Sequence, residues 1–205
     1  MQHGGQHPHR WEHHLTICAV ATALCWTPAA SAATYAIDQD HTTVSFRIRH
    51  LFSYVQGTFN EFLGTIEYVP GHPEQWTTRA TVQAASIDTR VEKRDDHLRS
   101  KDFFDVQQFP TLEFVSTEVT DVAGERAKLH GLLTLHEVQK PVVLDLAIHG
   151  EGKDPWGNVR SGFTATTTIN RKDFGLTWNQ ALETGQLLVG EEVEITLEVE
   201  GILKP

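Results

Sequence analysis

The chain has 205 residues, a formal net charge of −10 at pH 7, and a composition 40% hydrophobic and 21% charged. Its acidity argues against a nucleic-acid partner and against adhesion to anionic lipid surfaces, since both require basic patches. Its length suits one domain with a sizeable core.

In chain order, the first segment reads as an export signal. Arg10 stands among histidines and leads into the apolar stretch Leu15 to Trp26, which Pro28 follows. Ala30-Ser31-Ala32 then supplies the small-x-small pattern of a cleavage site. The apolar run is too short for the roughly 20 residues that cross a bilayer as a stable helix. The expected organisation is therefore a signal peptide, 1–32, cleaved after Ala32, and a single domain, 33–205, with no stable membrane insertion. Both cysteines, Cys18 and Cys25, leave with the signal. The mature chain then has no disulfide, thiolate ligand or cysteine nucleophile. Export without disulfides fits a bacterial periplasm and leaves stability to packing and sheet pairing. Arg10 and Glu12 cancel, so the mature charge stays at −10.

From Ala33 onward the dominant signal is period two, which places alternate side chains on opposite faces of a strand. Residues 43–49 alternate polar side chains with Val44, Phe46 and Ile48. Residues 126–135 put Ala127, Leu129, Gly131, Leu133 and Leu135 on one parity, and 158–170 do the same with Val159, Phe163, Ala165 and Ile169. The last strand is the clearest, with Val193, Ile195, Leu197 and Val199 opposite Glu192, Glu194, Thr196, Glu198 and Glu200. Further strands are expected near 35–38, 58–69, 77–86, 110–120 and 141–149. Strands this long suit a barrel or a strongly curled sheet rather than a sandwich. One interruption is helical: Thr89 to Ser100 lacks Gly and Pro, sets Val91, Arg94 and Leu98 on one side, and has Asp88 or Thr89 as its cap. A second non-strand segment, 171–188, contains Asp173-Phe174-Gly175, a turn with Phe174 tucked inward, and Trp178. An outer-membrane barrel would alternate similarly. The mature chain is too poor in Tyr and Trp for two aromatic girdles, and the glutamates of the last strand would crowd a narrow lumen. The apolar face points inward.

Residues 86–114 carry something more specific. Ser86-Ile87-Asp88-Thr89, Arg94-Asp95-Asp96-His97-Leu98-Arg99-Ser100, Asp102-Phe103-Phe104-Asp105 and Phe109-Pro110 resemble the central signature of the YceI-like family. The flanks agree: Asp40-His41-Thr42-Thr43-Val44-Ser45-Phe46 resembles the opening strand, and Gly57-Thr58-Phe59 with Phe62-Leu63-Gly64 the next hairpin. Gly131-Leu132-Leu133-Thr134, Lys140-Pro141-Val142 and Arg171-Lys172-Asp173-Phe174-Gly175 resemble the later blocks. Thr42 stands where the family usually has Ser, and Glu137 and Gln139 where it tends to have Gly and Thr. The resemblance spans 34–202. It implies an all-β fold with one short helix, an extended antiparallel eight-stranded lipocalin-like β-barrel. Its apolar tunnel would bind a polyisoprenoid or other long-chain lipid in the periplasm.

The inward ladder supplies the binding candidates: Phe46, Ile48, Phe59, Phe62, Ile66, Phe114, Leu129, Leu133, Leu144, Leu146 and Phe163, with Ile195 and Leu197 on the last strand. Phe103, Phe104 and Trp178 join them from outside the strands. Alternation by itself fits a solid core as well as a cavity; the resemblance implies the cavity. A buried CH₂ contributes roughly 0.8 kcal/mol, so a few isoprene units outweigh an association cost of about 4–15 kcal/mol. Arg94, Asp95, His97 and Arg99 are head-group candidates, Arg94 or Arg99 for phosphate or carbonyl oxygens. The plainer reading of that cluster is a salt-bridged, solvated helix face pinning 89–105 to the rim.

No catalytic residue is expected. There is no G-x-S-x-G, no kinase set around Asp173-Phe174-Gly175, and no serine placed to complete a triad with Asp38, Asp40 and His41. The histidines His41, His50, His72, His97, His130, His136 and His149 show no metal-ligand spacing, so neither metal nor cofactor is expected beyond the lipid. The rivals are a lipid-modifying enzyme, which needs two or three of His41, Asp95 and His97 to converge at the tunnel mouth, and a filled barrel acting through a protein partner. An open edge strand would admit a homodimer.

Overall fold

A computed structural model describes Met1 and residues 33–205; the export-signal reading of 1–32 falls on residues outside that description. The strands are β1 Ala33–Ile37, β2 Thr43–His50, β3 Ser53–Phe59, β4 Phe62–Tyr68, β5 Thr77–Gln83 and β6 Ile87–Asp88. One helix, α1 Glu92–Arg99, precedes β7 Thr111–Ala123, β8 Arg126–Leu135, β9 Val138–Lys153, β10 Val159–Asn170 and β11 Val189–Leu203.

The pairings are antiparallel and close an eight-strand ring, β1-β4-β5-β7-β8-β9-β10-β11, through β1 against β11. β11 is long enough to serve two partners on one edge. Residues 201–203 pair with β1, and residues 189–198 pair with β2, which carries β3 and β6 beyond it. The handover is stitched by hydrogen bonds: the Asp38 amide donates to the Glu200 carbonyl at 2.8 Å, and the Glu200 amide to Thr42 Oγ1 at 3.1 Å. Thr42 is therefore buried and satisfied. The ring closes, but β2, β3 and β6 branch from it and β3 pairs with β6 only at Thr58 and Phe59, so the sheet keeps a free edge of the kind on which the expectation of a homodimer rested.

β8 has the expected bounds, and its inward parity is the buried one. The glycine in that row has a packing reason. A Cβ on Gly131 would stand 2.4 Å from the Phe114 ring, which crosses from β7. The turn into β9 is His136-Glu137, both with positive φ, the two-residue geometry that matches sheet twist, made here without glycine. Gly175 closes the 171–174 turn in the left-handed region, and Phe174 is fully buried there.

Two expectations need correction. The run 58–69 is not one strand. It breaks at Asn60-Glu61, whose backbone groups turn away to Ser86 and Gln83, and β3 begins earlier, at Ser53. The helix starts at Glu92, not at Asp88 or Thr89, and its N-cap Val91 makes no side-chain cap bond. Arg90 has positive φ, which interrupts the helix there, and Asp88 spends its carboxylate on the Arg90 amide. Thr89 is tied down by Asp95, which accepts from its amide at 2.9 Å and from its hydroxyl.

The interior has two halves. Around β1 it is solid: Tyr35, Ile66, Tyr68, Trp76, Ile148 and Phe163 form one buried cluster. Tyr68 packs on Trp76 and Phe163 with ring centroids 5.0 and 5.3 Å apart, and Trp76 Nε1 donates to the Val69 carbonyl at 2.6 Å. Next comes a layer of Leu129, Leu144 and Ala165. Beyond that layer, around β2 and β3, the barrel is hollow.

Candidate functional site

The hollow is a cavity of about 330 Å³. Its floor is the Leu144 layer, with Phe114 and Leu197 beside it. One wall is the paired inward rows of β2 and β11, where Val44, Phe46 and Ile48 stand opposite Leu197, Ile195 and Val193. The opposite wall takes Ala80 and Val82 from β5, Leu112 and Phe114 from β7, and Leu133 and Leu135 from β8. Val142 of β9 and Thr167 and Ile169 of β10 complete the circuit. On β8, β9, β10 and β11 the period-two register carries one inward row from the filled half into the hollow, whereas on β7 a register shift between Ser116 and Glu118 changes the parity, so that Val119 packs in the filled half and Phe114 borders the hollow.

Far from the filled half the cavity is covered by α1, the 100–109 turns and the segment 171–189. Arg94, His97 and Leu98 descend from α1, Phe103 and Phe104 from the turns, and Leu176, Trp178 and Leu188 from the segment. The cover is braced by aromatic contacts: the His97 ring stands edge-on to Phe103 at 5.1 Å and to Trp178 at 4.8 Å. Phe104 stands edge-on to Phe59 at 5.7 Å.

Of the residues named from sequence, Phe46, Ile48, Phe59, Phe103, Phe104, Phe114, Leu133, Leu144 and Trp178 border the cavity, as do Ile195 and Leu197. Phe62, Ile66, Leu129, Leu146 and Phe163 do not. Ile66 and Phe163 belong to the solid cluster with Leu146 packed against it, Leu129 lies in the floor layer, and Phe62 is buried at the start of β4. They share the inward parity, but neighbours from distant strands fill the space before them.

The charged cluster also divides. Arg94 and His97 border the cavity; Asp95 and Arg99 face away and act as anchors. Arg99 donates to the Ala85 and Ile87 carbonyls, both at 2.8 Å, and Asp95, 5% exposed, holds Thr89. Arg94 itself is committed to Thr89, donating to its Oγ1 and its carbonyl at 2.7 Å each. The cluster is thus neither a fully solvated face nor a collar of four groups.

Sequence reading missed part of the lining, Val55, Val82, Ile87, Leu112, Val142, Leu176 and Leu188 among it. The parity of β8 and β9 could have supplied Val142, but nothing local marks Leu176 or Leu188. It also missed Arg171, which is buried in the cavity wall.

His41 lies elsewhere. It bonds Asp38 at 2.8 Å beside Glu200, on the outer side of the filled half. With His41 on the filled half and Asp95 facing away, only His97 of the three borders the cavity, so no two of them meet there as the lipid-modifying rival required. Asp38, His41 and Glu200 bring ligand atoms close enough for an ion. However, the Arg160 guanidinium already donates to Asp38 at 2.6 Å, to Glu200, and to Asp154 at 2.8 Å. A metal there would have to displace that cation. Burial pushes the Asp38 carboxyl up, but its bonds from Arg160 and His41 outweigh that and hold it below the usual range. The bond from Arg160 likewise holds the Asp154 carboxyl below the usual range.

The YceI-like domain pattern matches residues 35–201. A UPF0312 protein of Pseudomonas savastanoi pv. phaseolicola is 42% identical over 165 residues, covering 79% of this chain and 86% of that one. A Campylobacter jejuni YCEI crystal structure superposes with TM-score 0.66 at 31% identity, covering 77% of this chain and 91% of the other. A polyisoprenoid binding domain from Saccharophagus degradans gives TM-score 0.64 at 13% identity, covering 85% and 100%, and so shares the fold. Among the described residues, no helix is long and apolar enough to cross a membrane.

Proposed function

The chain belongs to the YceI-like family, and on that premise we propose that it is a periplasmic carrier or store for one long-chain lipid, an isoprenoid or quinone chain foremost. The observation that carries the reading is the cavity: about 330 Å³, walled by Phe, Leu, Ile and Val and covered by an aromatic lid. That volume is at the lower end of small-molecule sites, roughly 300–1,000 Å³, and suits one chain. Binding is passive. Each buried CH₂ contributes roughly 0.8 kcal/mol, the solid half of the barrel holds the walls apart, and the acidic exterior keeps the loaded protein soluble. The polyisoprenoid binding named for the Saccharophagus degradans domain, on the same fold, supports this ligand class. The apolar run ahead of Ala32 supports export and cleavage.

The deciding experiment is organic extraction of the full chain purified from its native source, followed by mass spectrometry. One equivalent of a long-chain lipid is the expected result; repeated preparations with none would sink the carrier reading. N-terminal sequencing of the same material should begin at Ala33.

A further inference from the structure

The polar groups in the cavity wall mostly have partners. Ser45 donates to the Thr196 carbonyl, Arg94 is committed to Thr89, and His97 bonds Asp102 at 3.0 Å. Arg171 differs. It follows β10 directly, stands in the cavity wall and is 3% exposed. Its Nε donates to the Gly190 carbonyl at 2.8 Å and its Nη1 to the Leu176 carbonyl, so two backbone bonds fix the guanidinium plane. Its Nη2 is buried with no hydrogen-bond partner among the described residues. Among the described residues no carboxylate pairs with it either: the neighbouring Glu191 carboxylate is taken by Lys172. Burial disfavours its charged form, yet a guanidinium remains protonated in proteins. A buried cation with a spare donor is costly unless an oxygen meets it, and native structures seldom leave such a group orphaned.

We propose that Arg171 is the head-group anchor of the cavity, and that the ligand is an apolar chain ending in a hydrogen-bond-accepting oxygen, carboxylate or carbonyl, received by Nη2. This rests on the lipid-binding reading and deepens it. The chain runs toward the floor along Val193, Ile195 and Leu197, while the oxygen stays near the rim where β10 ends and β11 begins. Arginine suits the role because its fork leaves one nitrogen free after two are committed to the backbone.

The test uses three probes of equal chain length, hexadecanoate, methyl hexadecanoate and hexadecane, each competing against a fluorescent apolar dye. Wild-type protein should prefer an oxygen-bearing probe over hexadecane by at least about tenfold. R171M should erase that preference, so that the acid, the ester and hexadecane compete equally. An equal gain for acid and ester identifies a neutral carbonyl as the anchored group; a gain for the acid alone identifies an anion. Should R171M fail to fold, R171K, which keeps the charge but loses the fork, must lower the preference severalfold. Equal binding of all three probes to wild type, or an unchanged preference in a folded Arg171 variant, overturns the anchor and leaves the lipid cavity standing. Displacement by none of the three overturns the cavity reading itself, and the anchor with it.

Discussion

Ala165 and Thr167 stand two residues apart on the same face of β10, opposite Leu197 and Ile195 of β11. Ala165 is sealed in the floor layer with Leu129 and Leu144, whereas Thr167 borders the cavity. One step along a strand thus separates a packed interior from a hollow one. The difference lies across the barrel. Below Ala165, rings from β1, β4, β10 and the 73–76 turn region meet in the middle. Above it, the facing side chains are of ordinary size but nothing projects between them. The lesson is that inward orientation and void are separate properties: the first follows from parity, the second from what stands opposite.

The sharpest way to break this comparison is to truncate one large apolar side chain in each half. Phe163→Ala removes a ring packed against Tyr68 and should cost about 3–5 kcal/mol by denaturant titration. Ile195→Ala, whose side chain already borders space, should fall toward the low end of the roughly 2–5 kcal/mol typical of such changes and mainly alter lipid affinity. Equal costs would mean that the hollow is not hollow in solution. Next in size is a pair of enlargements. Ala165→Leu overpacks the floor and should destabilise by about 1–3 kcal/mol. Thr167→Leu should be close to neutral in stability and reduce lipid uptake.

The cover offers a test of comparable size. Asp95→Ala leaves the Thr89 amide unpaired and should cost about 1–3 kcal/mol. Hydrogen exchange should rise in 89–105 while the filled half stays protected; uniform loss of protection would contradict a locally anchored lid.

The smallest effect belongs to the acidic pH limb and to the filled half. The Arg160 bonds hold Asp154 below its ordinary range and, against the opposing effect of burial, Asp38 as well. Both folded values lie below the unfolded value of about 3.9. Their contribution is therefore complete above that pH and is lost as pH falls through the lower folded values. Wild type should lose more stability than Arg160→Met between about pH 5 and about pH 2. Parallel curves from thermal melts would show that the network is not coupled to folding.

Much of this molecule was legible before any coordinates. Unbroken alternation specified β8 to the residue, β10 to within one residue and the middle of β11, because a one-residue slip would turn every leucine outward. Turn chemistry was less legible. His136-Glu137 and Leu51 adopt positive φ without glycine, held by strand pairing and by the Leu51 amide bond to Leu188. The site was half legible. Phe46, Ile48 and Phe59 could be named from parity, but so could Ile66 and Phe163, and parity does not separate the two sets.

What the sequence determined by itself is the set of faces: which side chains look inward, that the sheet is antiparallel and long-stranded, and to which family the order of its motifs points. Only the tertiary structure decided where the interior is empty. It decided equally that a buried arginine from the end of β10 stands at the edge of that space. The physical reason is range. A strand's alternation is written in adjacent residues, whereas a void is the gap left between side chains that are distant in sequence and meet only when the ring closes.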